Sequence, residues 1–378
     1  MKHSVYLDKS STRKLCELSV EYTIKALNEY WGNPSSLHIL GVEAEDKINE
    51  TRELIATQLH CRSDEIIFTG SGTEANNTAI IGAAYKGQKR GKRIVTTEIE
   101  HPSVAEVFNK LETEGFEVIR LKPNADGIVS EEDIKSAINS DTVLVSIMLV
   151  NNETGAIQPI KAAADAIKSA NAPALLHCDA VQAFGKMKIS PQKLNVDLLS
   201  ASGHKIHGPK GIGFLYIKKG VHIKPYLVGG GQENGMRSGT EPVPLIYGLA
   251  GAIKDLPNTE RSLEDQQVLW NYTKEKLLST GLVEINSANG ALPYILNISV
   301  MGYRSETLLH FLENEGIYVS SGSACAKGEG SFVLRAMGLD RKRVDSALRI
   351  SFSRYNTKED VDLLCQAIIN ATKRLRKA

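Results

Sequence analysis

The sequence predicts an α/β protein: a large part with a mostly parallel sheet flanked by helices, followed by a smaller α+β part. Three observations carry this. From Cys61 to Leu215, short apolar runs alternate with amphipathic stretches, the pattern of parallel strands joined by crossover helices. Near Asp255 the pattern changes to a long charged helix with fewer strands after it. The chain has 378 residues, 42% hydrophobic and 24% charged, which is ordinary globular composition and length enough for two domains.

The elements follow in chain order. The N-terminus, MKHSVYLDKS, lacks the apolar core of a signal peptide, and no later run reaches bilayer-spanning length. A cytoplasmic location with no membrane partner is expected. EIIFTG precedes a helix from Thr73, and RIVTTEIE precedes a helix from Pro102. TVLVSIMLV, ALLHCDA, DLLSAS and GIGFLYI then read as further strands. A charged helix spans roughly Asn258 to Ser279. YILNISV, a helix over Glu306–Glu315, IYVSS, a Gly/Ser/Ala-rich loop, another helix and LRISFS complete the order. Residues 16–257 form the expected large domain. Residues 1–15 pack with 258–378 as the smaller one.

Charge and cysteine usage exclude several function classes. Lys plus Arg, 45, nearly cancels Asp plus Glu, 44, so direct nucleic-acid binding has no global field behind it. Cys16, Cys61, Cys178, Cys325 and Cys365 are scattered with no CxxC spacing, which argues against structural zinc or a disulfide framework. No metal is expected. A phosphate loop of the GxxxxGK[ST] kind is absent, so a nucleotide triphosphatase is not supported.

In open parallel sheets, ligands bind beyond the carboxyl ends of the strands, where helix N-termini present free N–H groups. There the sequence places Ser71-Gly72-Thr73-Glu74, an anion cradle or simply a capped helix start. His101 precedes Pro102, and Asn151-Asn152-Glu153 follows an apolar strand. Asp179 ends a run that reads as buried, so its carboxylate needs a partner: an internal cation, or a protonated ring nitrogen. The strongest local signal is Ser200-Ala201-Ser202-Gly203-His204-Lys205-Ile206-His207-Gly208. A lysine partly removed from water and near other cations loses basicity and becomes a usable amine for a Schiff base.

With these residues in view, the chain resembles the cysteine desulfurases, pyridoxal-phosphate enzymes of fold type I in the class V aminotransferase group. The likeness runs from Tyr6-Leu7-Asp8 to about Arg354. It rests on Gly32-Asn33-Pro34-Ser35-Ser36, the Gly-Thr-Glu turn, Glu100-His101, Val150-Asn151-Asn152-Glu153 and Asp179-Ala180-Val181-Gln182. Ser-Gly-His-Lys, Met236-Arg237-Ser238-Gly239-Thr240 and Ser320-Ser321-Gly322-Ser323-Ala324-Cys325 complete the ordered set.

The resemblance implies a seven-stranded, mostly parallel sheet and a catalytic set of Cys325, Lys205 and His101. Lys205 holds pyridoxal 5'-phosphate, His101 stacks on its ring and Asp179 pairs with the ring nitrogen. Asn152 and Gln182 contact the ring and its phenolic oxygen. Thr73, Ser202 and His204 hold the phosphate, with Thr240 reaching it from the other subunit of a homodimer. Arg349, on LRISFS, clamps the carboxylate of L-cysteine, assisted by Asn33; Arg354 is the competing clamp. The Cys325 thiolate takes the substrate sulfur, with His101 a candidate base.

The implied activity is desulfuration of L-cysteine to L-alanine. The sulfur goes to a protein acceptor for iron–sulfur cluster assembly or for thiolation of tRNA or cofactors. Two alternatives stand beside it: a selenocysteine lyase or cysteine sulfinate desulfinase, and a non-catalytic scaffold in a sulfur relay. The stretch Ala326-Lys327-Gly328-Glu329-Gly330-Ser331 is shorter than in the best-known housekeeping members, which leaves the acceptor open.

Overall fold

The structure, a computed structural model, describes residues 4–321 and 330–377. Its centre is a 7-stranded sheet. In spatial order the strands are Ile66–Thr69, Gly213–Ile217, Leu198–Ser202, Leu175–Asp179, Thr142–Met148, Arg93–Thr97 and Glu117–Leu121. Only Gly213–Ile217 runs against its neighbours, so the fold class expected from sequence is observed.

Thr142–Met148 is buried at every position, which is why it reads as an unbroken apolar run. Six apolar runs in the sequence predict strands of this sheet, and the seventh strand, Glu117–Leu121, is not among them. That strand lies at the sheet edge with only Leu121 buried, so it needs no continuous apolar run.

Helix starts set the site edge. Gly72–Gly87 begins after Thr69, with Ser71 as N-cap, its Oγ accepting from Glu74 N at 3.1 Å. Pro102–Thr113 begins after Thr97 with Pro102 in the first turn, where a missing N–H costs nothing, and with His101 as N-cap. Both helix N-termini therefore open at the edge where Met148, Asp179 and Ser202 end their strands.

The C-terminal part holds an antiparallel sheet of Val283–Ile285, Ile295–Val300 and Ala347–Ser351. Thr259–Ser279, Ser305–Asn314 and Lys358–Arg374 are its main helices. Of IYVSS only Ile317–Tyr318 pairs as a strand, in parallel with Val5–Tyr6, and this ties the N-terminal segment to the C-terminal part. One apolar cluster joins Val5 and Leu7 to Trp270, Leu296, Ile298, Leu348, Ile350 and Phe352. A separate one includes Phe68, Val145, Ile147, Leu176 and Phe214 of the large sheet. Among the described residues no helix is long and apolar enough to cross a membrane.

Candidate active site

A cavity of about 280 Å³ lies at this sheet edge. Thr73, His101, Asn152, Asp179, Gln182, Ser202, His204 and Lys205 line it, eight positions expected from sequence and drawn from five strand ends. Ser71, part of the expected anion cradle, and Ser11 also line it, together with Ser103 and Met148, which were not anticipated.

Lys205 sits in a short 3-10 turn, Gly203–Ile206, directly after the strand Leu198–Ser202. Its Nζ donates to the carbonyls of Ser10 at 2.5 Å and Ser11 at 2.8 Å. Burial, then the Arg349 charge, lowers its pKa to about 7, so the free amine is accessible near neutrality. His204 Nδ1 lies 3.2 Å from Thr12 Oγ1, and burial lowers the His204 pKa to about 4.

Asp179 is 4% exposed. Its Oδ1 accepts from Val181 N at 2.9 Å and its Oδ2 from Asn76 Nδ2 at 2.8 Å. Among the described residues no Lys or Arg forms an ion pair with it, so the internal-cation alternative finds no support here. A buried carboxylate facing a cavity with only neutral donors fits a cationic ring nitrogen.

The His101 tautomer is set by its neighbours. Ser103 N donates to Nδ1 at 3.1 Å, and Ser103 Oγ lies 2.8 Å from the same atom. Nδ1 is therefore an acceptor, and the neutral ring carries its proton on Nε2. Protein packed around the ring lowers its pKa by burial, with Asp179 opposing that shift. Ser103 Oγ also accepts from Asn76 Nδ2 at 2.9 Å, so one amide joins Asp179 to the His101 support.

Arg349, 5% exposed on Ala347–Ser351, points its guanidinium at the same region. Nη2 donates to Asp8 Oδ1 at 2.8 Å and Ser11 Oγ at 2.6 Å, and Nη1 to Asn152 O at 3.1 Å. Nε is buried with no partner among the described residues. Arg354 instead engages Asp255 and Tyr355, away from the cavity. Asn33 is exposed and outside the cavity, its Oδ1 accepting from Ser35 N. Thr240 is likewise exposed and does not line this cavity.

Cys325 lies outside the described residues. Burial raises the thiol pKa of Cys16 and Cys178, pushes Cys61 up to about 12 and Cys365 up to about 11, so none of these four is an activated thiol. Cys16 is the buried N-cap of Glu17–Glu29.

The signal for the unanticipated residues was weak. Ser103 follows His101-Pro102 closely enough to be suspected as its support. Ser10 and Ser11 contact Lys205 across more than 190 residues of sequence and left no local trace.

Comparisons with known proteins agree with this geometry. The family description Aminotransferase class-V matches residues 5–364. The putative cysteine desulfurase IscS 1 of Bacillus subtilis is 41% identical over 378 residues, covering 98% of this chain and 99% of that protein. Cysteine desulfurase IscS of Clostridium botulinum is 39% identical over 384 residues, covering 100% and 96%. A solved NifS-like protein superposes with TM-score 0.93 at 38% identity, covering 99% of this chain and 100% of that one. SspA in complex with cysteine gives TM-score 0.83 at 34% identity, covering 94% and 100%. With a matching family description over nearly its full length and such relatives, the chain belongs to the class-V aminotransferase family, among the cysteine desulfurases.

Proposed function

We propose that the chain is a cytoplasmic, pyridoxal 5'-phosphate-dependent L-cysteine desulfurase. It moves the sulfur of L-cysteine to Cys325, so that one substrate and one thiol give L-alanine and a Cys325 persulfide. The observation that carries this is the Lys205 amine sharing one cavity with the buried carboxylate of Asp179, whose hydrogen-bond donors are neutral and which forms no ion pair with a Lys or Arg among the described residues.

Lys205 would hold the cofactor, Asp179 its ring nitrogen, and His101, Asn152 and Gln182 its ring and ring oxygen. Thr73, Ser202, His204 and the first turn of Gly72–Gly87 would hold its phosphate, with Thr240 of a second subunit. When bound, the cofactor supplies an electron sink for bonds at the substrate α-carbon.

The chain's own residues do the rest. Arg349 offers a guanidinium for the substrate carboxylate and orients it, sharing that charge with Asp8. Lys205, with a pKa of about 7, can both take and give a proton near neutral pH. For His101 to accept one at Nδ1, that atom must first release Ser103.

The described residues before and after Cys325 support its role. On one side Ser320 exchanges backbone hydrogen bonds with Arg349, and on the other Ser331 Oγ donates to the buried Glu153, next to Asn152. We place the division of the chain at 16–257 and 1–15 with 258–378; one apolar cluster is confined to the second part, while the cluster of the large sheet also takes in Leu292, Tyr294 and Ile295. Val20, Ile24, Leu27, Trp31, Leu37 and Ile39 are exposed on and around two neighbouring helices, which supports a homodimer. A protein acceptor then takes the persulfide sulfur.

The test is direct. Purified protein with pyridoxal phosphate should show a visible band that borohydride fixes to Lys205, and cysteine should yield alanine and, with reductant, sulfide in equal amounts. Cys325→Ala should keep the band and lose turnover. A protein that stays colourless, or a Cys325→Ala variant with normal turnover, would overturn the reading.

A further inference from the structure

Lys186 is 1% exposed, four residues after Gln182 in the turn that follows the strand Leu175–Asp179. Long cations are rarely buried unless paired, and among the described residues no carboxylate forms an ion pair with this one. Burial, then the charges of Arg13, Lys205 and Arg349, pushes its pKa well below the ordinary lysine value. A residue kept at such a cost needs a reason.

The contacts supply one. Lys186 Nζ donates to Gln182 Oε1 at 2.8 Å. Gln182 Nε2 donates to Ser10 O at 3.0 Å, the same carbonyl that accepts from Lys205 Nζ. The aromatic neighbour of Lys186 is the Tyr294 ring, 6.0 Å from Nζ, whose hydroxyl is engaged with Ser262 Oγ at 2.7 Å. Gly185 makes the turn possible: its φ is +71°, and a Cβ there would meet Ile206 Cγ2 at 2.7 Å.

A carboxamide can sit either way round, because its two ends have the same shape. A backbone carbonyl can only accept, and the Lys186 amine presents N–H donors to the other end of the carboxamide. With Lys186 at one end and Ser10 O at the other, a flip would set Gln182 Oε1 against the Ser10 carbonyl, acceptor against acceptor, and would break the Lys186 bond. Gln182 lines the cavity, so its orientation decides whether a ligand oxygen there meets an N–H or a lone pair.

We propose that Lys186 is a positioning residue: by holding Gln182 Oε1 it fixes the carboxamide with Nε2 towards the Ser10 carbonyl and the cavity, so that the bound cofactor's ring oxygen always meets a donor. This rests on the desulfurase reading.

The experiment uses the full-length holoenzyme and follows the pH dependence of its visible absorption. In Lys186→Met the transition should move by about 1 pH unit, the size of one hydrogen bond to a charged group. Gln182→Leu should move it in the same direction, and Lys186→Met added to Gln182→Leu should move it no further. Lys186→Gln, which keeps an N–H donor without the charge, should titrate like wild type and serves if Lys186→Met is not recovered folded.

An unshifted Lys186→Met beside a shifted Gln182→Leu, additive shifts in the double variant, or Lys186→Gln shifted as far as Gln182→Leu each overturn the inference alone. A wild-type protein that takes up no colour overturns the desulfurase reading and this inference together.

Discussion

Replacing Asp179 separates what its carboxylate does for the fold from what it does for the chemistry. Both oxygens accept, from Val181 N and from Asn76 Nδ2. Asp179→Ala orphans the buried Asn76 N–H and the part-buried Val181 N–H at no more than about 1–3 kcal/mol each, so urea unfolding of the cofactor-free protein at pH 7 should show a loss of at most about 6 kcal/mol. Asp179→Asn keeps one acceptor and sets an NH2 against the other donor. Asn76 Oδ1 has no partner among the described residues, so the Asn76 amide can flip to receive that NH2, at the expense of its bond to Ser103 Oγ. The Asn variant should therefore lose only about 1–3 kcal/mol. Both variants remove the charge that would face the ring nitrogen. kcat/KM for cysteine should fall about 10- to 100-fold, the worth of a charge-assisted hydrogen bond of about 1.5–3 kcal/mol. Equal stability of the two variants would refute the donor accounting, and an unchanged kcat/KM in either would refute the role of the carboxylate.

Other outcomes follow from the same geometry. Arg349→Lys cannot reproduce a fork shared among Asp8, Ser11 and Asn152, so initial rates should show KM for cysteine raised roughly 10- to 100-fold, while Arg354→Lys leaves it unchanged. The reverse order would make Arg354 the clamp. Burial raises the Glu100 pKa to about 8, so from the ordinary carboxyl range up to that value the native state holds a proton the unfolded chain has lost. Its contribution is complete at low pH and is lost as pH rises through about 8. Glu100→Gln, whose Oε1 can still accept from Met148 N and Thr97 Oγ1, should therefore gain on wild type by a few kcal/mol between pH 5.5 and 8.5 in urea unfolding. Ser103→Ala removes a hydroxyl donor from His101 Nδ1 and should move the acidic limb of the kcat/KM profile to higher pH by roughly 0.5–1 unit. A shift to lower pH would contradict the tautomer assigned here.

What sequence could show depended on how locally each residue is determined. Asp179 and Lys205 were legible because each follows an apolar run and stands where a strand must end. Arg349 was singled out by the resemblance rather than by local pattern, and the register of its strand with Ile295–Val300 places it opposite Asn297. Glu117–Leu121 was missed because an edge strand buries little. Lys186 was missed for the opposite reason, since a lysine in a turn looks like a surface group and nothing local says that Tyr294, more than 100 residues away, closes over it.

The least legible part of the site is also the one that holds it together. Val5–Tyr6 pairs with Ile317–Tyr318, and Leu7 O accepts from Ser351 N at 2.7 Å, so the N-terminal segment is fixed to the C-terminal sheet. From there residues 8–12 cross to the large sheet, where Asp8 and Ser11 meet Arg349, Ser10 meets Gln182 and Lys205, Ser11 meets Lys205 and Thr12 meets His204. Four side chains of the site, three from the large sheet edge and one from the C-terminal sheet, thus take their positions from one short stretch of backbone. Most of those bonds go to carbonyl oxygens or to small hydroxyls, which side-chain identity barely specifies, so the coupling is written in the path of the chain. A rearrangement of this segment would move the amine at Lys205 and the guanidinium at Arg349 together. The spacing between the group that would hold the cofactor and the group that would hold the substrate is therefore a property of residues 8–12 as much as of either side chain.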